Sequence, residues 1–150
     1  HKVCWLGDGN NVCHSYMNAA RLLDFELVVA CPEGYDPSPA LLEACGNHVT
    51  IERDPAVAVK QAHLLVTDVW ASMGQEAEQS ERIGPLAPYQ LNQALLDIAA
   101  PDALYMHCLP AHRDEEITAE LMDAPDTVIW QEAENRLHAQ KALMELLLSA

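Results

Sequence analysis

The chain has 150 residues, half of them apolar, with 23 acidic against 8 basic side chains and a formal net charge of -15. That length and composition predict one domain with a real core, and the acidic field excludes nucleic acid and anionic lipid surfaces as main partners. No apolar stretch reaches the ~20 residues of a membrane span, and an odd set of five cysteines without a CxxC pair argues against a disulfide framework and a zinc site, with the cytoplasm as the expected compartment.

The chain opens on His1-Lys2 directly ahead of an apolar run, a start expected of a piece of something longer. KVCWLG (2–7) predicts a buried strand. NNVCHSYMNAARLLDF (10–25) predicts a helix whose more apolar face carries Val12, Tyr16, Ala19 and Leu23. ELVVAC (26–31) is a second strand stopped by Pro32, and PALLEACG (39–46) a short helix closed by Gly46. HVTIERD (48–54) is a third strand, after which Pro55 opens a helix in its first turn. HLLVTDVW (63–70) is a fourth strand, with helices predicted over 74–83 and 89–99. ALYMHCL (103–109) is a fifth, followed by a helix over about 114–122. TVIW (127–130) reads as a short sixth strand, and the last helix runs from near Ala133 to the end. Strands without polar alternation, separated by helices, give an α/β, doubly wound (Rossmann-like) parallel sheet of about five strands with helices on both faces.

Ligands in such sheets bind beyond the carboxyl ends of the strands. Three polar clusters fall there. In GDGNN (7–11), Gly7 and Gly9 match a dinucleotide fingerprint, but Val12 stands at the third glycine and Glu33 is only a loose ribose partner. The alternative is a plain strand-to-helix turn capped by Asn10 or Asn11, whose amides could also take a carboxylate with the helix N–H groups.

TDVWASMGQE (67–76) places Asp68 at the end of an apolar strand, where an unpaired carboxylate is costly. Asp68 is either a cap or the partner of a cationic ligand group, and Met73-Gly74 either a mobile lid or a turn. MHCLPAHR (106–113) crowds His107, Cys108, His112 and Arg113 at a strand end. A Cys-His nucleophile pair with a depressed thiol pKa is one reading, a buried cysteine with a surface His/Arg pair another. A metal site lacks a fourth ligand, and a cis Leu109-Pro110 bond would suit the turn. In EAENR (132–136), Arg136 falls in the first turn of the last predicted helix, where the dipole disfavours a cation. That placement suggests a bound anion, or pairing with Glu132 or Glu134.

Together GDGNN, DVWASMGQE, MHCLPAHR and EAENR resemble the carbamoyltransferases, and among them those that use ornithine. The resemblance spans essentially all 150 residues. His107-Cys108-Leu109-Pro110 stands where aspartate-using relatives carry HPLP, and Ser72-Met73-Gly74 is the loop that putrescine-using relatives replace. The family implies that Asn11 and the Met73 backbone receive the ornithine α-carboxylate, and that Asp68 and Ser72 hold its α-amino group. Asp68 and Cys108 would flank the attacking side-chain amine, a thiolate and a carboxylate steering its deprotonation. Cys108, the Leu109 carbonyl and Arg136 would touch carbamoyl phosphate. No cofactor or metal is implied, and the full-length enzyme would be a homotrimer.

The family's Ser-x-Arg-Thr phosphate-gripping motif is absent, so residues 1–150 are expected to be the ornithine-binding domain alone, inactive without its carbamoyl-phosphate domain. The rival readings are a carbamoyltransferase for another amine, a non-catalytic ornithine-binding module and a nicotinamide-dependent enzyme.

Overall fold

A computed structural model describes residues 1–71 and 79–149. β1 (Lys2–Leu6), β2 (Glu26–Ala30), β3 (Val49–Glu52), β4 (Leu64–Thr67) and β5 (Leu104–His107) form one parallel sheet in the order β3-β2-β1-β4-β5. Between and after them lie α1 (Asn11–Leu23), α2 (Pro39–Cys45), α3 (Pro55–Val59), α4 (Gln79–Leu86), α5 (Gln93–Leu96), α6 (Ala119–Met122) and α7 (Ile129–Leu148).

Alternation along the strands builds two cores. Cys4 and Leu6 of β1 and Val28 and Ala30 of β2 pack with residues of α3, α5 and α6 on one face. Val3, Trp5, Leu27 and Val29 pack with Cys13 and Met17 of α1 and Cys45 of α2 on the other. Both faces are covered, which is why the central strands β1, β2 and β4 are apolar along their interiors. The order of connection reverses between β1 and β4, so the loops leaving those strands meet at the switch point where such folds bind ligands.

Several expectations need correction. Residues 127–130 are no strand: Ile129, completely buried in the first core, already begins α7. That helix therefore starts four residues before Ala133, and Arg136 lies two turns inside it rather than in its first turn. The expected helix over 114–122 is regular only at Ala119–Met122, and that over 89–99 only at Gln93–Leu96 after a 3-10 turn at Ala87–Tyr89. The buried face of α1 is Cys13, Met17 and Ala20, while Leu23 is exposed. Ser72 and Met73, with the rest of 72–78, lie outside the described residues. Beyond Glu132, α7 is exposed along its length, and Leu137, Leu143, Met144, Leu146, Leu147 and Leu148 face solvent. No described helix is long and apolar enough to cross a membrane.

Candidate active site

The turn after β1 is shaped by the chain itself. Gly7 takes φ +118°, a region that favours glycine. At Gly9 an added Cβ would lie 2.3 Å from the Pro37 nitrogen, and the Gly9 N–H donates to Tyr35 O at 2.8 Å. The second glycine thus admits residues 35–37, where a dinucleotide fingerprint would admit a pyrophosphate.

Asn10 is the N-cap of α1, its Oδ1 accepting from Val12 N–H at 2.9 Å and Cys13 N–H at 3.0 Å. Its Nδ2 donates to Asp68 Oδ2 at 2.7 Å. Asp68 is buried just beyond β4, and its Oδ1 accepts from Val69 N–H at 2.8 Å and from Cys108 Sγ at 3.1 Å. Three donors therefore satisfy a carboxylate that would be costly to bury alone.

Cys108 follows β5 and is exposed, in contrast to Cys4, Cys13, Cys31 and Cys45. Burial of its sulfur, then the bond to Asp68 and the charges of Asp68 and Glu132, push the thiol up to about 12. That direction is opposite to the depressed thiol of a Cys-His nucleophile pair. Nor does Cys108 pair with histidine. The fully buried His107 accepts the Leu109 N–H on Nδ1 at 3.0 Å and meets Glu116 Oε1 through Nε2 at 2.9 Å. The Leu109-Pro110 bond is cis, as the turn suggested.

The family model described as "Aspartate/ornithine carbamoyltransferase, Asp/Orn binding domain" matches residues 1–147. The chain belongs to the aspartate/ornithine carbamoyltransferase family. It is 60% identical over 148 residues to an ornithine carbamoyltransferase of Methylococcus capsulatus, covering 99% of this chain and 50% of that protein. It is also 60% identical over 146 residues to an anabolic ornithine carbamoyltransferase of Pseudomonas aeruginosa, covering 97% of this chain and 48% of that one. A solved ornithine carbamoyltransferase from Pyrococcus furiosus superposes with TM-score 0.86 at 49% identity, over 95% of this chain and 48% of that chain. The chain spans about half the length of the curated relatives it matches.

Against the residues that the carbamoyltransferase resemblance singled out, the geometry is selective. Asp68 and Cys108 touch, Asn11 is exposed in the first turn of α1 beside Asn10, and Leu109 adjoins Cys108. Arg136 is exposed on α7 with no described contact to them. Arg113 pairs with Asp123 at 2.7 Å rather than with His112.

Sequence reasoning overlooked Glu132 as part of this site. From the first turn of α7 its Oε2 accepts the His107 N–H at 3.0 Å, and burial raises its carboxyl above the usual range, with Asp68 adding to the rise. An acid in a helix's first turn was the available signal, but the helix start was misplaced. Arg82 of α4 was overlooked too. Its Nη1 meets Asp8 Oδ2 at 2.8 Å and Trp70 O at 2.9 Å, clamping the two switch-point loops. Asp8 is raised by burial and held back by Arg82.

Among the described residues, two groups of donors cluster within 4.8 Å, Asp68/His107/Cys108 and His112/Glu115/Glu116. In the first, both ring nitrogens of His107 are engaged by Leu109 and Glu116. In the second, Glu116 Oε1 already accepts from His107 and from the His112 N–H at 2.6 Å. Glu116 Oε2, by contrast, is buried without a hydrogen-bond partner among the described residues, 3.7 Å from His112 Nδ1.

Proposed function

We propose that this chain is the ornithine-binding half of an ornithine carbamoyltransferase, which joins ornithine and carbamoyl phosphate into citrulline and phosphate in arginine biosynthesis. The observation that carries the reading is the Cys108–Asp68 contact of 3.1 Å at two neighbouring strand ends beside a helix N-terminus. Support comes from the relatives at 60% identity, one of them named as anabolic.

In this reading Asn11, with the first-turn N–H groups of α1 and the Met73 backbone, takes the ornithine α-carboxylate. Asp68 and Ser72 take the α-ammonium. The side-chain ammonium enters beside Asp68 and Cys108 and passes one proton to the Asp68 carboxylate, and the attacking nitrogen's second proton leaves with the phosphate. A cation arriving next to Cys108 lowers a thiol that the free site holds high. The freed amine lone pair then attacks the carbamoyl carbon. The carbon–oxygen bond to phosphate breaks and phosphate departs with its electron pair, while Arg136, the Leu109 carbonyl and Cys108 hold the carbamoyl phosphate.

No cofactor or metal takes part. The carbamoyl-phosphate domain lies outside this chain, the homotrimer forms through it, and the enzyme works in the cytoplasm.

Calorimetry of the 150-residue chain against ornithine, putrescine, aspartate and N-acetylornithine tests the reading. Heat with ornithine alone supports it, and preference for another amine overturns it. Citrulline formation by this chain without a partner half would overturn the division of labour.

A further inference from the structure

β5 is an edge strand, so every second N–H along it points away from β4 and needs another partner. The Leu104 N–H turns inward to His63 O at 3.0 Å. Three residues on, the alternation sends the His107 N–H outward, where Glu132 Oε2 accepts it at 3.0 Å. A side chain of α7 thus fills the place that a sixth strand would have taken.

That bond joins two parts of the proposed site. His107 immediately precedes Cys108. Arg136 stands four residues after Glu132, on the same face of α7 and one turn further along. A carboxylate near an anion-binding arginine works against the anion, so attraction for substrate does not explain Glu132. The hydrogen bond it accepts does.

We propose that Glu132 is a positioning residue: its bond to the His107 N–H fixes the height and rotation of α7 and so places Arg136 relative to Cys108. The inference rests on the reading of Arg136 as the carbamoyl phosphate contact, and its test separates the two.

The first measurement is amide hydrogen exchange by NMR on the 150-residue chain. The His107 N–H should be protected, and Glu132→Ala should speed its exchange roughly tenfold. Glu132→Asp, too short to reach but still charged, should do the same. Glu132→Gln, whose amide oxygen still accepts, should stay within about threefold of the parent. The second measurement uses a protein carrying both halves. There Glu132→Ala and Glu132→Asp should raise the KM for carbamoyl phosphate roughly tenfold, with the ornithine KM within about twofold and Glu132→Gln restoring the parent value. Unaltered exchange in Glu132→Asp, or a Gln variant as damaged as the Asp variant, overturns the positioning role. An ornithine KM that rises as much as that for carbamoyl phosphate overturns it also. Exchange that responds as expected in a two-half protein that forms no citrulline sinks the functional reading and leaves the bond's role in seating α7 supported.

Discussion

Asn10 Nδ2 lies 2.7 Å from Asp68 Oδ2, so the residue that caps α1 also holds one oxygen of the site carboxylate. The helix start and the strand end are tied across the switch point by one amide. Asn10→Ala should therefore cost about 1–2 kcal/mol in urea unfolding, more than a lost cap alone. Asn10→Asp keeps the cap but sets two carboxylates face to face. Sharing one proton raises a folded-state pKa, so that variant's stability should hold at low pH and fall as pH climbs through the carboxylate range. A deficit relative to the parent that is equal at pH 4.5 and pH 7.5 would show that Asn10 does not face Asp68.

Cys108 offers a second test. A thiol held at about 12 is only about one part in ten thousand thiolate at pH 8, so iodoacetamide should modify it slowly although it is exposed. Asp68→Asn removes the neighbouring charge while leaving the sulfur's burial and an amide oxygen that still accepts. Its modification rate at pH 8, followed by mass spectrometry, should rise severalfold and keep climbing with pH beyond 9. Equal rates in the two proteins would refute the coupling.

Alkaline stability follows from the buried thiols. Burial holds Cys31 at about 11 and Cys4 at about 12, and lifts Cys13 further, from an ordinary value of 9.0. Above pH 9 the unfolded chain releases thiol protons that the folded chain keeps. The unfolded state then binds fewer protons, and unfolding free energy falls with rising pH. The contribution is intact below pH 9 and is lost through 11 to 12. Urea midpoints should be flat from pH 7 to 8.5 and drop steeply by pH 10.5, at up to about 1.4 kcal/mol per buried thiol per pH unit. Cys4→Ala should soften that slope.

The glycines of the first turn can be separated by substitution. Gly9→Ala forces a Cβ onto the Pro37 nitrogen at 2.3 Å and should cost at least about 1–3 kcal/mol. Gly84→Ala, in α4 with nothing within 4 Å of the added atom, should be neutral or stabilising by up to about 1 kcal/mol. Comparable losses at both positions would contradict the close approach of residues 35–37.

The sheet was readable because most strands are apolar runs between helical segments, and Asp68 and Cys108 were readable because each lies just past the end of such a strand. TVIW misled for a physical reason. Its β-branched and aromatic residues favour a strand, but burial of Ile129 in the core and the Glu132 bond to the edge of β5 start a helix at Ile129, leaving Thr127 and Val128 as its approach. Misplacing that start hid Glu132 and put Arg136 in the wrong turn. The pairing of His107 with Glu116 was equally hidden. It depends on how residues 108–115 fold back, which no local periodicity encodes.

α7 has 20 residues, a rod of about 30 Å, gripped at its base by Ile129 and Glu132 and exposed beyond. Held that way it is a lever. A tilt of about 10° at the base would sweep Leu148 through roughly 5 Å while barely moving the first turn. Any change at the end of β5 that tilted the base of α7 would thus be magnified along the helix into a displacement large enough to be followed by a distance label at its tip.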